Sequence, residues 1–498
     1  MHTLVILFHP QSFQLLPLLS QIPDLYNILV FTNLTLPSDL FTNICQNVVV
    51  SRASIMDEWE IVNSCKDQCM ENILVINDVQ DAKILVGSGY RIELALTFLK
   101  EGNDVVFPEG GQKAFWVRKE AKREKECYIF KKSMIKKLNI RIGAWYFPQY
   151  HKIADNDKFW GEGFTDWTLL KPAENVFPGQ ELKKPHLDLG YYDLTETATR
   201  KFQGELAEKY GISFFCFYHY WFNGHQVMHT PIQLLLEDSY PAVDFILEWA
   251  NESWIKTWTG NTNQVLIQQD YGDSNSWTRH YEYLSKVFKS KRYIKINGAP
   301  IFIIYRMDHI GEKFEPMVKL WKELARKDGF PDLVILGKTN TWNKDDKMAS
   351  LINQDKLSGF VEFLPTGAHF SQIPTRDNYD INNRKCSTFS MNDVFASSFK
   401  FNRKSGIIYR GWYAGWDNTP RCLNRKATKS VDSDIDTFKK YLIQRIKQVL
   451  AHPNPPQYHN LIFINAWNEW NEQAILEPNH IDGYAYLETI KSVLEYFN

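Results

Sequence analysis

The sequence predicts an α/β protein: a (β/α)8 TIM barrel preceded by a small N-terminal parallel-sheet α/β domain of Rossmann or flavodoxin type. Three observations lead there. At 498 residues the chain is several times the usual length of one domain, so more than one core is expected. Its later part carries eight short apolar, β-branched runs separated by segments of helical period, and eight is the barrel number. Between the two parts, the segment 119–137 turns strongly charged and basic before an abrupt apolar start near Ile140, the pattern of a linker helix.

In chain order, the runs 3–8, 27–31, 47–50, 72–76 and 104–107 read as five strands of the first domain, 1–118. Intervening segments such as 54–70 and 90–100 are long enough for crossover helices of a parallel sheet. The run GSGYR near Gly87 lacks the further glycine of a phosphate cradle, so nucleotide binding is weakly supported, a scaffold or partner-docking role has at least equal support, and the domain's role stays open. The barrel domain, 138–498, has candidate strands at 141–147, 212–218, 244–250, 299–305, 333–337, 359–364, 406–412 and 461–466. Helical periodicity marks 198–210, 277–290, 314–327, 436–452 and 484–497, while the fifth and sixth helices are poorly marked. The long segments 151–195, 251–275 and 364–405 read as decorated loops after strands.

Charge narrows the function. With 57 Lys and Arg against 58 Asp and Glu, no long-range field draws a polyanion, which argues against nucleic acid as a partner. Seven scattered cysteines form no disulfide framework, and Cys65 with Cys69 has no second pair at zinc spacing. No run approaches the ~18 apolar residues of a membrane span, so a cytoplasmic protein without metal or cofactor is expected.

Aromatic content points to the ligand. Sixteen Trp, 24 Tyr and 32 Phe include many set beside polar residues, and sugars need aromatic platforms flanked by hydrogen-bonding groups. In a barrel the working face lies at the carboxyl ends of the strands, and five ends carry such mixtures. They are YFPQYH with Tyr146, Gln149 and His151; YHYWFNG with Tyr218, His219 and Tyr220; EWANESW with Trp249, Asn251, Glu252 and Trp254; GWYAGWDNTPR with Trp412, Trp416 and Asp417; and NAWNEWNE with Asn468, Glu469, Trp470 and Glu472. Trp145 and, on the first long loop, Asp166 and Trp167 join the candidate sugar-binding set. Packing alone accounts for any one cluster; five on a single face favour a site.

Glu469 and Glu472, three apart beyond the last strand, are the candidate catalytic residues. Two close carboxylates repel, raising one pKa and setting a protonated acid beside an ionised base. The ordered motifs AWYFPQYH, DKFWGEGFTDWT, PHLDLGYYDL, FYHYWFNG, WANESW, GWDNTPR and NAWNEWNEQAILEPNHIDGYAYL resemble the glycoside hydrolase family 99-like group, whose bacterial members include WbsX-type glycosyltransferases. The resemblance implies a retaining, endo-α-mannosidase-like barrel in which Glu469 is base on the sugar 2-hydroxyl and Glu472 protonates the departing oxygen. Gln473 stands where the group usually has glycine. Three functions follow as expectations: a retaining glycoside hydrolase acting on a polysaccharide or its intermediate; a transferase in O-antigen or capsule synthesis; and a silent glycan-binding module. An oligo- or polysaccharide is the expected partner, with glycan-assembly partners reached through the N-terminal domain.

Overall fold

The computed structural model describes the strand residues 2–8, 26–32, 48–52, 73–76 and 114–117, and then 140–256, 264–339, 357–366, 373–399, 406–422, 426–455 and 458–497. Two compact units divide the chain, one within Met1–Met134 and one spanning Ile135–Phe497. The linker expected at 119–137 lies outside the described residues.

In the first unit, strands His2–Phe8, Tyr26–Thr32, Val48–Arg52 and Ile73–Ile76 run parallel, in the spatial order third, second, first, fourth. That order, reversing beside the first strand, belongs to the Rossmann type of doubly wound sheet. A fifth strand, Ala114–Val117, pairs antiparallel with the fourth, so the sheet is mixed rather than wholly parallel. The run expected as fifth strand, 104–107, lies outside the described residues.

The second unit is a closed barrel of eight parallel strands: β1 (Ile140–Tyr146), β2 (Ile212–Phe222), β3 (Asp244–Trp249), β4 (Ala299–Ile304), β5 (Val334–Thr339), β6 (Gly359–Glu362), β7 (Ile407–Tyr413) and β8 (Asn460–Asn465). Each pairs with the next, and β8 pairs with β1 through Ile462 opposite Ile142. Outside stand α1 (Thr197–Tyr210), α2 (Thr230–Asp238), α3 (Ser274–Phe288), α4 (Phe314–Lys327), α5 (Met391–Phe399), α6 (Ile435–Ala451) and α7 (Ala485–Phe497). Local chemistry sets their ends. Asp273 accepts from Ser276 N at 3.0 Å to cap α3, Asp434 from Thr437 N at 2.7 Å to cap α6, and Gly211 closes α1 in the left-handed region with φ 83°.

Barrel strands are buried on both faces, so apolar side chains run without interruption along them. Alternation still sorts them. Phe214, Cys216, Ile246, Ile301, Ile303, Leu336, Val361 and Phe463 fill the interior, whereas Phe215, Phe217, Leu247, Phe302, Ile304, Ile335 and Ile464 pack under the helices. At the interior position Gly143 a Cβ would lie 2.4 Å from the Phe214 ring, so glycine leaves the room that the ring fills. The uppermost interior layer is polar. Glu248 on β3 and Lys338 on β5 form a fully buried pair at 2.7 Å, and Trp145 Nε1 donates to the other Glu248 oxygen at 2.6 Å.

Lys338 Nζ also faces the rings of Trp145, Tyr218, Tyr305 and Phe363, with centroids at 4.7, 5.0, 4.6 and 3.5 Å. This layer floors the carboxyl-terminal mouth of the barrel. Over that mouth, the expected loop 364–405 contributes strands Thr375–Ile381 and Arg384–Ser390, which join Ala427–Val431 in a small sheet.

Candidate active site

Past β8 the chain makes a tight hairpin. Asn468–Glu469 pairs antiparallel with Ala474–Ile475, and between them Trp470–Glu472 forms one 3-10 turn. Residues three apart eclipse in a 3-10 helix, so Glu469 and Glu472 fall on the same side. The hairpin is fastened to the end of β1: Trp467 N donates to Trp145 O at 2.8 Å, and Asn468 Nδ2 donates to Phe147 O at 3.0 Å while its Oδ1 accepts from Phe147 N at 2.7 Å. Trp470 N donates to Tyr150 Oη at 3.1 Å. Gln473 closes the turn in the left-handed region, φ 53°.

Three carboxylates and one guanidinium meet here. Arg421, from the loop after β7, donates through Nη1 to Glu472 Oε1 at 2.6 Å and lies 3.7 Å from Glu469 Oε1. Asp166, from the first long loop, accepts from Asn471 Nδ2 at 3.0 Å. Burial raises the Asp166 carboxyl to about 6, against the pull of Arg421 and the Asn471 bond. Glu469 is pushed well above the usual carboxylate range, first by burial and then by Glu472 and Asp166, with Arg421 opposing. Tyr150, Tyr218 and Tyr220 line the Glu469 side, and burial followed by nearby carboxylates raises all three phenols. Tyr305 stands within electrostatic reach of Glu472.

Of the residues expected to bind sugar, Asp166, Tyr218 and Tyr220 gather around the two glutamates. Gln149, hydrogen-bonded to Tyr220, is buried beside them, whereas His151, further along the chain leaving β1, is buried near Asp193 and His229, and burial lowers its pKa. Trp145 lies in the floor. Four others are turned away, because successive strand residues point to opposite faces. Tyr146 donates to Gln203 of α1 at 2.6 Å. His219 meets His280 of α3 at 2.9 Å, and burial drops its pKa to about 3. Trp249 packs on His280 and Trp321, and Trp412 stacks on Phe395 of α5 with centroids 4.0 Å apart. All four belong to the packing between strands and helices.

The remainder hold loops in place. Asn468 pins the hairpin, and Trp470 donates Nε1 to buried Glu477 at 2.8 Å behind it. Trp167 packs on Tyr150 at 4.2 Å. Asn251 accepts from Arg306 N at 2.7 Å, and Glu252 pairs with Arg306 at 2.8 Å. Trp416 donates to Thr428 Oγ1 at 2.8 Å. Asp417 accepts from Gln180 Nε2 at 2.9 Å and from Thr419 N at 3.0 Å. Trp254, on a short two-stranded ribbon, meets Tyr220 edge-on at 5.8 Å.

Sequence reasoning did not single out Arg421, Tyr150, Glu248, Lys338 or Glu477. Arg421 was visible as the fixed cation closing GWDNTPR, and Tyr150 as the second tyrosine of YFPQYH. Nothing local in the sequence marks Lys338, whose partner is 90 residues away. Among the described residues, no group of three His, Cys, Asp or Glu side chains is placed to hold a metal ion.

Comparison with known proteins gives a family. The model of the family described as Glycosyltransferase WbsX matches residues 142–490. The protein named Uncharacterized protein WxcX from Xanthomonas campestris pv. campestris strain B100 is 29% identical over 353 residues, covering 70% of this chain and 49% of that protein. The WxcX protein of strain ATCC 33913 is 28% identical over the same length. This chain thus spans about half the length of the curated relatives it matches. Among solved structures, the GH99 endo-alpha-mannosidase from Bacteroides thetaiotaomicron aligns with TM-score 0.45 and 12% identity, covering 72% of this chain and 97% of that one. A structure titled Glycoside hydrolase-like protein aligns with TM-score 0.45 and 11% identity, covering 71% and 93%.

Proposed function

Because the chain belongs to the Glycosyltransferase WbsX family, a family of carbohydrate-active enzymes, we propose that its barrel is a retaining glycoside hydrolase that cleaves a polysaccharide or its intermediate, with Glu469 and Glu472 as the proton-transferring pair. One observation carries the reading. Two carboxyls share one face of a turn, enclosed by tyrosines, with a guanidinium hydrogen-bonded to Glu472 while burial pushes Glu469 well above the usual carboxylate range. The resemblance to the family 99-like group adds the route, in which the sugar's own 2-hydroxyl attacks the anomeric carbon to form a 1,2-anhydro sugar that water then opens. Asp166, Tyr218 and Tyr220 are proposed to hold the sugar in place beside the pair. A reducing compartment fits the buried free thiols of Cys216 and Cys386.

The family's name favours a second reading, transfer from an activated donor in O-antigen or capsule synthesis. Electrostatics weighs against a sugar nucleotide at this mouth. Glu469, Glu472 and Asp166 surround Arg421, and Lys338 is bound by Glu248, so a diphosphate would meet more negative charge than positive. Incubating the protein with acidic and neutral bacterial polysaccharides, with and without sugar nucleotides, separates the two. Release of reducing ends without a donor supports hydrolysis. Turnover only when a donor and an acceptor are both present overturns it, and binding without conversion of any glycan makes the barrel a lectin-like module.

A further inference from the structure

The inference rests on the reading of Glu469 and Glu472 as the working pair and concerns what holds the turn that carries them. Trp470–Glu472 is one 3-10 turn, and a single turn does not keep its shape by its own hydrogen bonds, so its geometry must be imposed from outside. Glu469 and Glu472, three apart, share the side facing the mouth, which sends the Trp470 ring behind them. There it meets Glu477, whose side chain is 1% exposed. Glu477 Oε2 accepts from Trp470 Nε1 at 2.8 Å and from Tyr192 Oη of the first long loop at 2.8 Å. Oε1 accepts from Gln203 Nε2 of α1 at 2.7 Å, and Gln203 Oε1 accepts from Tyr146 Oη of β1 at 2.6 Å. Tyr192 Oη also accepts from Asn468 Nδ2 at 3.3 Å, which brings the chain of bonds back to the start of the hairpin. One carboxyl therefore ties the turn to a strand, a helix and a loop of the barrel.

We infer that Glu477 is a positioning residue: by gripping the indole of Trp470 from behind, it holds the turn so that Glu469 and Glu472 face the sugar together. It touches neither the sugar nor the reacting atoms. A carboxyl suits the place because one of its oxygens accepts two hydrogen bonds side by side, which an apolar or purely donating side chain cannot do. Misplacing a working group by about 1 Å costs about 100-fold in rate, so the grip is felt in turnover as well as in stability.

The grip is read first without any substrate, in protein labelled with nitrogen-15 at tryptophan. The indole resonance of Trp470, identified by its loss in Trp470→Phe, is expected downfield and slow to exchange with solvent. In Glu477→Met, which keeps the volume and removes the acceptor, it should move upfield and exchange faster, as should the Trp470 backbone N–H bonded to Tyr150. Glu477→Gln should leave the indole near its wild-type position, because the amide oxygen accepts the same two bonds and Gln203 can turn its own amide to meet the new donor. An unmoved indole in Glu477→Met overturns the inference. Turnover, measured on a glycan that the wild type cleaves, is the second arm. Glu477→Met should lose about 100-fold in kcat with KM within about threefold, and Glu477→Gln should recover most of that rate. Trp470→Phe should lose at least ~10-fold and add nothing to the Glu477→Met loss. A raised KM at unchanged kcat, or losses that add, overturns the role. Should Glu477→Met fail to fold, Trp470→Phe decides, and a wild-type kcat in it contradicts the inference. If no glycan is cleaved the functional reading fails, and the exchange of the Trp470 backbone N–H in Glu477→Met then decides: faster exchange supports the hold on the turn, and unchanged exchange overturns it.

Discussion

Gln473 sits at φ 53°, where a residue with a Cβ pays a backbone penalty of about 1 kcal/mol that glycine escapes. Its side chain supplies the offset. Oε1 accepts from Lys183 N at 2.6 Å, and Nε2 donates to Trp470 O at 2.8 Å and to Lys183 O at 3.3 Å, clamping the first long loop to the turn that carries Glu469 and Glu472. Gln473→Gly relieves the backbone but loses three hydrogen bonds worth about 1 kcal/mol each, so a net loss of about 2 kcal/mol in urea denaturation is expected. Gln473→Val, branched at Cβ and unable to bond, should cost at least ~1 kcal/mol more than glycine. Equal stability of the two variants would show that the left-handed backbone does not matter here.

At the scale of elements, the eight strands were legible because short β-branched runs alternate with helical periods, and each observed strand overlaps its expected run. Their inward and outward faces were not. In a parallel barrel both faces are apolar, so Trp145 and Tyr146 read alike although one enters the floor and the other meets α1. The same ambiguity placed Trp412 in the sugar-binding set. Stacked on Phe395 and buried under α5 and α6, it packs instead. Trp412→Ala is expected to lower stability by about 3–5 kcal/mol and leave affinity for a bound polysaccharide unchanged. Tyr220→Phe, which keeps the buried ring and removes only the hydroxyl, should weaken that affinity with less loss of stability than Trp412→Ala, and the reverse pairing in denaturation and binding assays would relocate the sugar. The strand-eight acids were legible because a turn brings residues three apart together. Arg421 required the tertiary fold, since β7 and β8 must be neighbours for it to arrive.

For the molecule as a whole, the site imposes a dependence of stability on pH. Glu477, fully enclosed behind the hairpin that follows β8, accepts from Gln203, Tyr192 and Trp470, yet burial outweighs these bonds and lifts its carboxyl from 4.5 to about 7. Asp166 is raised in the same direction, to about 6. Folding therefore takes up protons. The stability these groups contribute is complete below their ordinary values and is lost as pH rises through 6 to 7. Glu477→Gln should flatten that decline, by at most a few kcal/mol at about 1.4 kcal/mol per pKa unit, in denaturant midpoints compared across the window. A wild type whose stability rises over the same range, with an unchanged slope in the variant, would mean that Glu477 is ionised throughout.

The central claim is that two carboxyls on one turn at the mouth of this barrel split glycosidic bonds with water. Its most direct test is a polysaccharide panel digested in water enriched in oxygen-18, with the products weighed by mass spectrometry. Wild type is expected to place one heavy oxygen at each new reducing end, and Glu472→Gln none above background. Incorporation at the wild-type rate in Glu472→Gln, or glycan conversion by the wild type with no heavy oxygen gained, would contradict it.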